Sequence, residues 1–235
     1  LKDYFQIVER PTSSVDHETR SCRERFIMGK SDTKLFNIRR GCNNNKSFYI
    51  LHGFFQCTDY FDFIEPIIKK ELRFQPNVKK AAMQRFEKQH PGLWTSNVTK
   101  VGVHIRRGDF MSSQSVAIGR IAAPLDYFLA AMDYFMKSFP NTVFIVTGPE
   151  TGWAKKSLKS KGRLEVVTDS TPAEDLYLLS ACDHVVISSG TFSWWVGWLN
   201  QGKVVYFDRY PEKGKSLAKD FDPQHYYPKH WIPMH

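Results

Sequence analysis

Val101-Gly102-Val103-His104-Ile105-Arg106-Arg107-Gly108-Asp109-Phe110 is a short β-rich run that ends abruptly in charge. Side chains of a strand alternate between its two faces, so Val101, Val103 and Ile105 share one face and His104 and Arg106 the other. Similar runs follow at 142–146, 164–167, 184–188 and 204–207. Amphipathic helices separate them. Beginning near Pro124, the residues Leu125, Phe128, Leu129, Met132, Phe135, Met136 and Phe139 recur at helical spacing and form one apolar stripe that must lie on a sheet. Thr171-Pro172-Ala173-Glu174 reads as a capping box with proline at the first helical position, opening a helix that runs on from Asp175 to about Cys182. Another helix opens at Thr191 and is expected to close near Asn200-Gln201-Gly202, whose Asn and Gly tolerate a left-handed C-terminus. Five strands with helical crossovers predict an α/β fold with a doubly wound parallel sheet, which takes ligands beyond the carboxyl ends of its strands.

Upstream of Pro91-Gly92 the pattern differs. The chain to about Lys46 is loop-rich, broken by Pro11, Thr12-Ser13-Ser14 and Gly41-Cys42-Asn43-Asn44-Asn45. A strand is expected at 47–51, running into His52-Gly53-Phe54-Phe55-Gln56. Two surface helices are expected, at 59–72 through Ile64, Ile67 and Ile68, and at 77–89 through Val78, Ala81, Ala82 and Phe86. These changes divide the chain into residues 1–95 and 96–235.

Among the 235 residues, 33 Lys and Arg against 24 Asp and Glu give a net charge of +9, which raises the question of nucleic acid. Apart from Arg106-Arg107 the basic residues are interspersed with acidic ones, and no basic helix, zinc finger or RNA-recognition motif occurs. A solvated surface with a small anionic ligand fits better. Cys22, Cys42, Cys57 and Cys182 are widely spaced without a CxxC pair, so no zinc signature is present, and disulfides and buried thiols both remain open. No run approaches the ~20 apolar residues of a membrane span. Leu1-Lys2-Asp3-Tyr4 has neither an initiator Met nor a signal-peptide core, so a piece of a longer protein is expected, with any anchor upstream of it. Asn45-Lys46-Ser47 and Asn97-Val98-Thr99 are glycosylation acceptors that suit a lumenal protein.

The chemistry concentrates in two places. An arginine at the end of a parallel strand meets the ligand crevice, and a guanidinium binds phosphate oxygens bidentately, each charged hydrogen bond contributing ~1.5–3 kcal/mol. Arg106 is placed there; Arg107 and Asp109 are read either as ligand contacts or as an ion pair at the turn. The second place is Val185-Val186-Ile187-Ser188-Ser189-Gly190-Thr191-Phe192-Ser193-Trp194-Trp195, a buried strand, a small-residue turn and a helix start. Such a turn offers backbone N–H groups, hydroxyls and a helix dipole to phosphate and sugar, with neither a Walker loop nor a GxGxxG fingerprint. Trp194, Trp195 and Trp198 suit core packing better than sugar stacking.

His104-Ile105-Arg106-Arg107-Gly108-Asp109-Phe110, then Glu174 to His184, then Ser189-Gly190-Thr191-Phe192-Ser193-Trp194-Trp195 resemble, in order and spacing, the galactoside α-1,2-fucosyltransferase family, glycosyltransferase family 11. Gly53-Phe54-Phe55-Gln56 with Tyr60-Phe61 is similar to a further family element. The resemblance implies a GT-B architecture of two Rossmann-like halves, with 1–95 an acceptor-side half shorter than a complete lobe and 96–235 the half that binds GDP-fucose. It also implies a metal-independent inverting transfer of L-fucose from GDP-fucose to the 2-hydroxyl of a terminal galactose, without a cofactor, in a type II Golgi protein facing the lumen. Carried over by motif, Arg106 contacts the β-phosphate, His104 and Asp175 hold the guanosine, and Ser189, Gly190, Thr191, Phe192 and Ser193 line phosphate and fucose, with Arg107 also on the donor side. Asp175 has this role from the resemblance alone. Asp109 is a candidate base or a group orienting Arg106 or Arg107. Two alternatives stand beside this reading: a donor-binding homologue without activity that binds glycans, and a fucosyltransferase of α-1,6 or O-fucose type, since related families share the HxRR element.

Overall fold

A computed structural model describes residues 64–219 and 221–235, Thr58, and the backbone of Phe5–Gln6, Phe26–Met28 and Ile50–His52. Its centre is a six-stranded sheet of β1 (Thr99–His104), β2 (Thr142–Val146), β3 (Arg163–Val166), β4 (His184–Ile187), β5 (Val204–Phe207) and β6 (Ile232–Met234). The strands lie in the order β3-β2-β1-β4-β5-β6 and every neighbouring pair is parallel. That is the doubly wound order, in which the chain builds outward from β1 on one side, then returns and builds outward from β4 on the other. The direction reverses between β1 and β4, and their carboxyl ends open a crevice there.

The five strands read from the sequence form the first five of this sheet: 142–146 and 204–207 match, and the ends of the other three shift by at most two residues. The sixth is an addition. β6 has three residues centred on Pro233, too short for a period and with a residue that sheets tolerate at an edge, which is where β6 lies.

Helices cover both faces. They are α1 (Glu65–Glu71), α2 (Pro76–Gln89), α3 (Ser113–Ile118), α4 (Leu125–Ser138), α5 (Thr151–Ser157), α6 (Pro172–Ser180), α7 (Thr191–Leu199) and α8 (Pro223–Tyr226). The apolar stripe of α4 packs Phe128, Met132 and Phe135 against Val101, Val103 and Ile105 of the first strand run. Fully burying each such side chain stabilises by ~1.5–3 kcal/mol. Leu125, at the head of the stripe, is exposed instead, and Tyr127 is buried, its hydroxyl donating towards Ile187 O at 2.6 Å and Val205 O at 3.1 Å. The opposite face carries α6 and α7, with Leu179, Trp194 and Trp198 packed on Val185, Ile187 and Val204. Gly102 lets α6 approach: a Cβ there would lie 3.0 Å from Leu179 O.

α2 lies before the expected boundary at 95/96, yet it buries Phe86 among Val143, Ile145 and Leu178 of the sheet unit. Its Arg85 bonds Glu174 on α6 through Nε at 2.9 Å. The close of α7 departs from expectation. Asn200 is extended, with φ −70° and ψ 148°, rather than left-handed. Its buried side-chain amide donates to Ser180 O at 3.1 Å and Cys182 O at 2.7 Å, so tertiary hydrogen bonds override the local preference. Gly202 is needed for close approach: a Cβ would fall 1.8 Å from Asp183 O. Cys182 is a buried free thiol. Ile50–His52 pairs in parallel with Phe26–Met28, so a strand forms near the expected 47–51. Residues 53–57 and 59–63, Asn45 and the remaining cysteines lie outside the described residues, as does the rest of the chain before residue 50 apart from Phe5–Gln6 and Phe26–Met28. No described helix is long and apolar enough to cross a membrane.

Candidate functional site

The crevice is built from the ends of β1 and β4. Past its last β1 residue the backbone stays joined to the β4 side: Ser188 N donates to His104 O at 3.1 Å, and Arg106 N donates to Ser188 Oγ at 2.8 Å. Alternation along the strand turns His104 away from the α4 face, as the sequence pattern predicts. There its Nδ1 lies 2.6 Å from Ser193 Oγ, and its ring lies 4.8 Å from that of Phe192. Burial, with the Arg106 charge as a second cause, lowers the His104 pKa from 6.5 to about 3, so the ring is neutral at physiological pH. Nε2 is its remaining polar atom.

Two cavities flank this point. The larger, about 590 Å³, opens on the β2–β3 side and is lined by Gly148, Val167, Ser170 and Asp175 among others. The smaller, about 270 Å³, opens on the β4–β5 side, with Asp109, Phe110, Arg120, Thr191 and Tyr210 in its wall. His104, Arg106 and Phe192 line both, so these three side chains form the junction.

In the larger cavity, Asp175 is a buried carboxylate on the first turn of α6. Thr147 and Ser170 both donate their hydroxyls to its Oδ1. Burial raises its pKa, against which those two hydrogen bonds act. The capping box expected from Thr171 and Glu174 is present in full and fixes this turn: Thr171 N donates to Glu174 Oε2 at 2.9 Å and Glu174 N to Thr171 Oγ1 at 3.3 Å. Gln89 of α2 clamps the adjoining loop by giving its amide to Thr168 O and accepting from Thr168 N, each at 3.0 Å.

In the smaller cavity, Ser189, Gly190 and Thr191 form the turn into α7. Gly190 has φ +98°, and a Cβ would touch Phe110 at 3.3 Å, so the turn requires glycine twice over. An α-helix leaves its first N–H groups without intrahelical acceptors, and the start of α7 faces this cavity. Arg106 Nε pairs with Asp109 Oδ1 at 2.8 Å.

The crevice thus collects His104, Arg106, Asp109, Asp175, Ser189, Gly190, Thr191 and Phe192. Ser193 and Arg107 stand elsewhere. Ser193 is buried behind His104, its hydroxyl donating to Ser189 O at 3.1 Å, because its position on α7 faces the sheet and not the opening. Arg107 turns to the other side of the strand end, where its guanidinium lies 4.6 Å from the Trp153 ring and Nη1 reaches Ala123 O at 3.4 Å. Asp109 pairs with Arg106 and not with Arg107. Trp194 and Trp198 are core residues, Trp194 donating Nε1 to Tyr226 O at 2.8 Å. Asn97 is exposed ahead of β1. Sequence reasoning missed Thr147, Ser170, Arg120 and Tyr210, which lie in loops between elements and carry no motif; only their positions just past strand or helix ends hint at them. Among the described residues no three His, Cys, Asp or Glu side chains are grouped as a metal site.

A doubly wound sheet with an arginine, a buried carboxylate and a helix start gathered at its switch point defines an α/β protein of the class that takes ligands beyond the carboxyl ends of its strands. The chain belongs to glycosyl transferase family 11, whose profile matches residues 25–235. It is 29% identical over 189 residues to galactoside 2-alpha-L-fucosyltransferase Sec1 of Mus musculus, covering 78% of this chain and 51% of that protein. Against the SEC1 protein of Bos taurus it is 31% identical over 138 residues, or 57% of this chain and 38% of the relative. The chain therefore spans about half the length, or less, of these curated relatives. A solved structure of a family 9 glycosyl transferase from Veillonella parvula superposes with a TM-score of 0.45 at 14% identity, over 69% of this chain and 42% of that one.

Proposed function

We propose that the cleft binds GDP-fucose and that the protein transfers L-fucose with inversion to the 2-hydroxyl of a terminal galactose. One observation carries the donor reading: Arg106 stands at the junction of a nucleoside-sized cavity holding a buried carboxylate and a smaller one facing a helix start. The guanine and ribose occupy the larger cavity, with Asp175 accepting from the base and neutral His104 offering Nε2. The diphosphate crosses at Arg106, and the fucose extends along Thr191 and Phe192. The names of the relatives support fucose as the sugar and galactose as the acceptor.

In the transfer, the C1–O bond to the β-phosphate breaks and its electron pair leaves with GDP. The acceptor oxygen bonds to C1 from the opposite face, and its proton passes to a base. Positive charge grows on the sugar and negative charge on the diphosphate, so donors already aimed at the phosphate stabilise the transition state. Asp109, paired with Arg106, serves to orient that guanidinium. Neither cofactor nor metal takes part in the proposed reaction, and the proposed setting is the Golgi lumen.

Incubation with radiolabelled GDP-fucose and a β-galactoside, with EDTA present, tests this. The expected product is an α-1,2-fucoside, and Arg106→Lys is expected to lower kcat by ~10²–10³ by losing the bidentate contact. An α-1,6 or O-linked product would contradict the linkage. GDP-fucose binding without turnover on any galactoside would point to a glycan-binding homologue.

A further inference from the structure

Arg120 belongs to none of the motifs, yet it lines the smaller cavity together with Arg106. Its backbone is firmly set: Gly119 turns the chain at φ +103°, Arg120 N donates to Ser115 O at 2.9 Å, and Glu212 N donates to Gly119 O at 2.9 Å. Its guanidinium is held more loosely. It lies 5.5 Å from the Phe110 ring, with Ser115 Oγ at 3.5 Å and Asp109 Oδ2 at 3.7 Å. Asp109 Oδ1 meets Arg106 at 2.8 Å, so one carboxylate stands between two cations and binds only one of them closely. A guanidinium has five N–H donors, and charge-assisted bonds run ~2.7–2.9 Å, so Arg120 keeps donor capacity facing the cavity. Two positive groups and one negative leave this wall with a net positive charge beside the start of α7, a setting for an anion of more than one charge.

We propose that Arg120 is the second cation gripping the donor diphosphate, with Asp109 as the brace that spaces the two guanidiniums. The inference rests on the donor reading above and adds to it which residues take the phosphate charge. Arg106 reaches the diphosphate from the strand end and Arg120 from the loop between α3 and α4, so charge developing on the leaving group is shared between them. A purely structural Arg120, holding that loop through Ser115 and Phe110, would make GDP binding indifferent to its charge, so Arg120→Lys and Arg120→Gln would weaken GDP to the same extent.

Calorimetry with GDP, and ligand-observed NMR with guanosine, on the wild type, Arg120→Ala and Arg120→Lys separates the two roles. Arg120→Ala is expected to weaken GDP about 10- to 100-fold, the loss of one or two charged hydrogen bonds, and to leave guanosine unchanged. Arg120→Lys should recover part of the GDP affinity. Equal losses for GDP and guanosine, or no loss for either, would overturn the proposal. Should Arg120→Ala fail to fold, Arg120→Gln keeps a polar side chain there while removing the charge, and wild-type GDP affinity in that variant would overturn it as well. Absence of GDP binding by the wild type would instead defeat the donor reading, and this inference with it.

Discussion

His104 illustrates how much a single position determines. The β1 period sends it to the face that α7 covers, and Ser193 then fixes its Nδ1. With a folded pKa near 3 against 6.5 when exposed, it binds a proton in the unfolded chain well before it does so in the folded one. Its contribution to stability is therefore complete above about pH 6.5 and is lost progressively as pH falls towards 3. Between pH 7 and pH 5 the loss amounts to about 2 kcal/mol. Urea unfolding at both pH values should show wild type losing about that much more than His104→Gln, and NMR should show no His104 titration between pH 8 and 5. Equal losses in the two proteins, or a titration in that range, would place the ring in water. The face of His104 and the exit of Arg106 were legible from alternation alone. The direction of Arg107 was not, because it depends on Trp153, 46 residues on, whose ring offers the guanidinium a partner off the strand axis.

At the scale of elements, local signals succeeded where one helix turn or one strand contains the whole cause. The capping box of α6 is such a case, and it positions Asp175 by fixing the turn on which that carboxylate sits. Thr171→Ala should cost about 1 kcal/mol, the usual value of an N-cap. Glu174→Ala should cost more, because Arg85 Nε loses its 2.9 Å partner as well. Chemical denaturation checks the order, and equal costs would show that the link from α2 to α6 adds nothing. The end of α7 departs from its local signal because its cause is tertiary: Asn200 serves one carbonyl at the end of α6 and one just beyond it. Gly202 follows from the same packing. Gly202→Ala should abolish folding, since its Cβ would overlap Asp183 O, whereas Gly152→Ala in α5, with nothing within 4 Å, should stabilise by ~0.5–1 kcal/mol. Soluble expression and thermal melts of the two variants test the contrast, and a well-folded Gly202→Ala would refute the stated contact.

Across the whole molecule, the strand order places both motifs at one point although 82 residues separate Arg106 from Ser188, whose hydroxyl accepts from the Arg106 N–H. Each motif could be read as anion-binding from its own residues, and the alternation of strands and helices predicted that they would meet beyond the strand ends. The division into two cavities with Arg106 at their junction was not legible. It arises from loops after β2, β3 and β5 and after α3, whose paths have no periodic signature. Arg106 lines both cavities, and in the proposed function it joins their nucleoside and sugar subsites through the diphosphate. Calorimetry of the purified protein with GDP-fucose and GDP, in EDTA, comparing wild type with Arg106→Ala, tests that claim most directly. Chelator-insensitive binding by the wild type that Arg106→Ala abolishes is expected; wild-type affinity in Arg106→Ala would contradict the proposed role of Arg106.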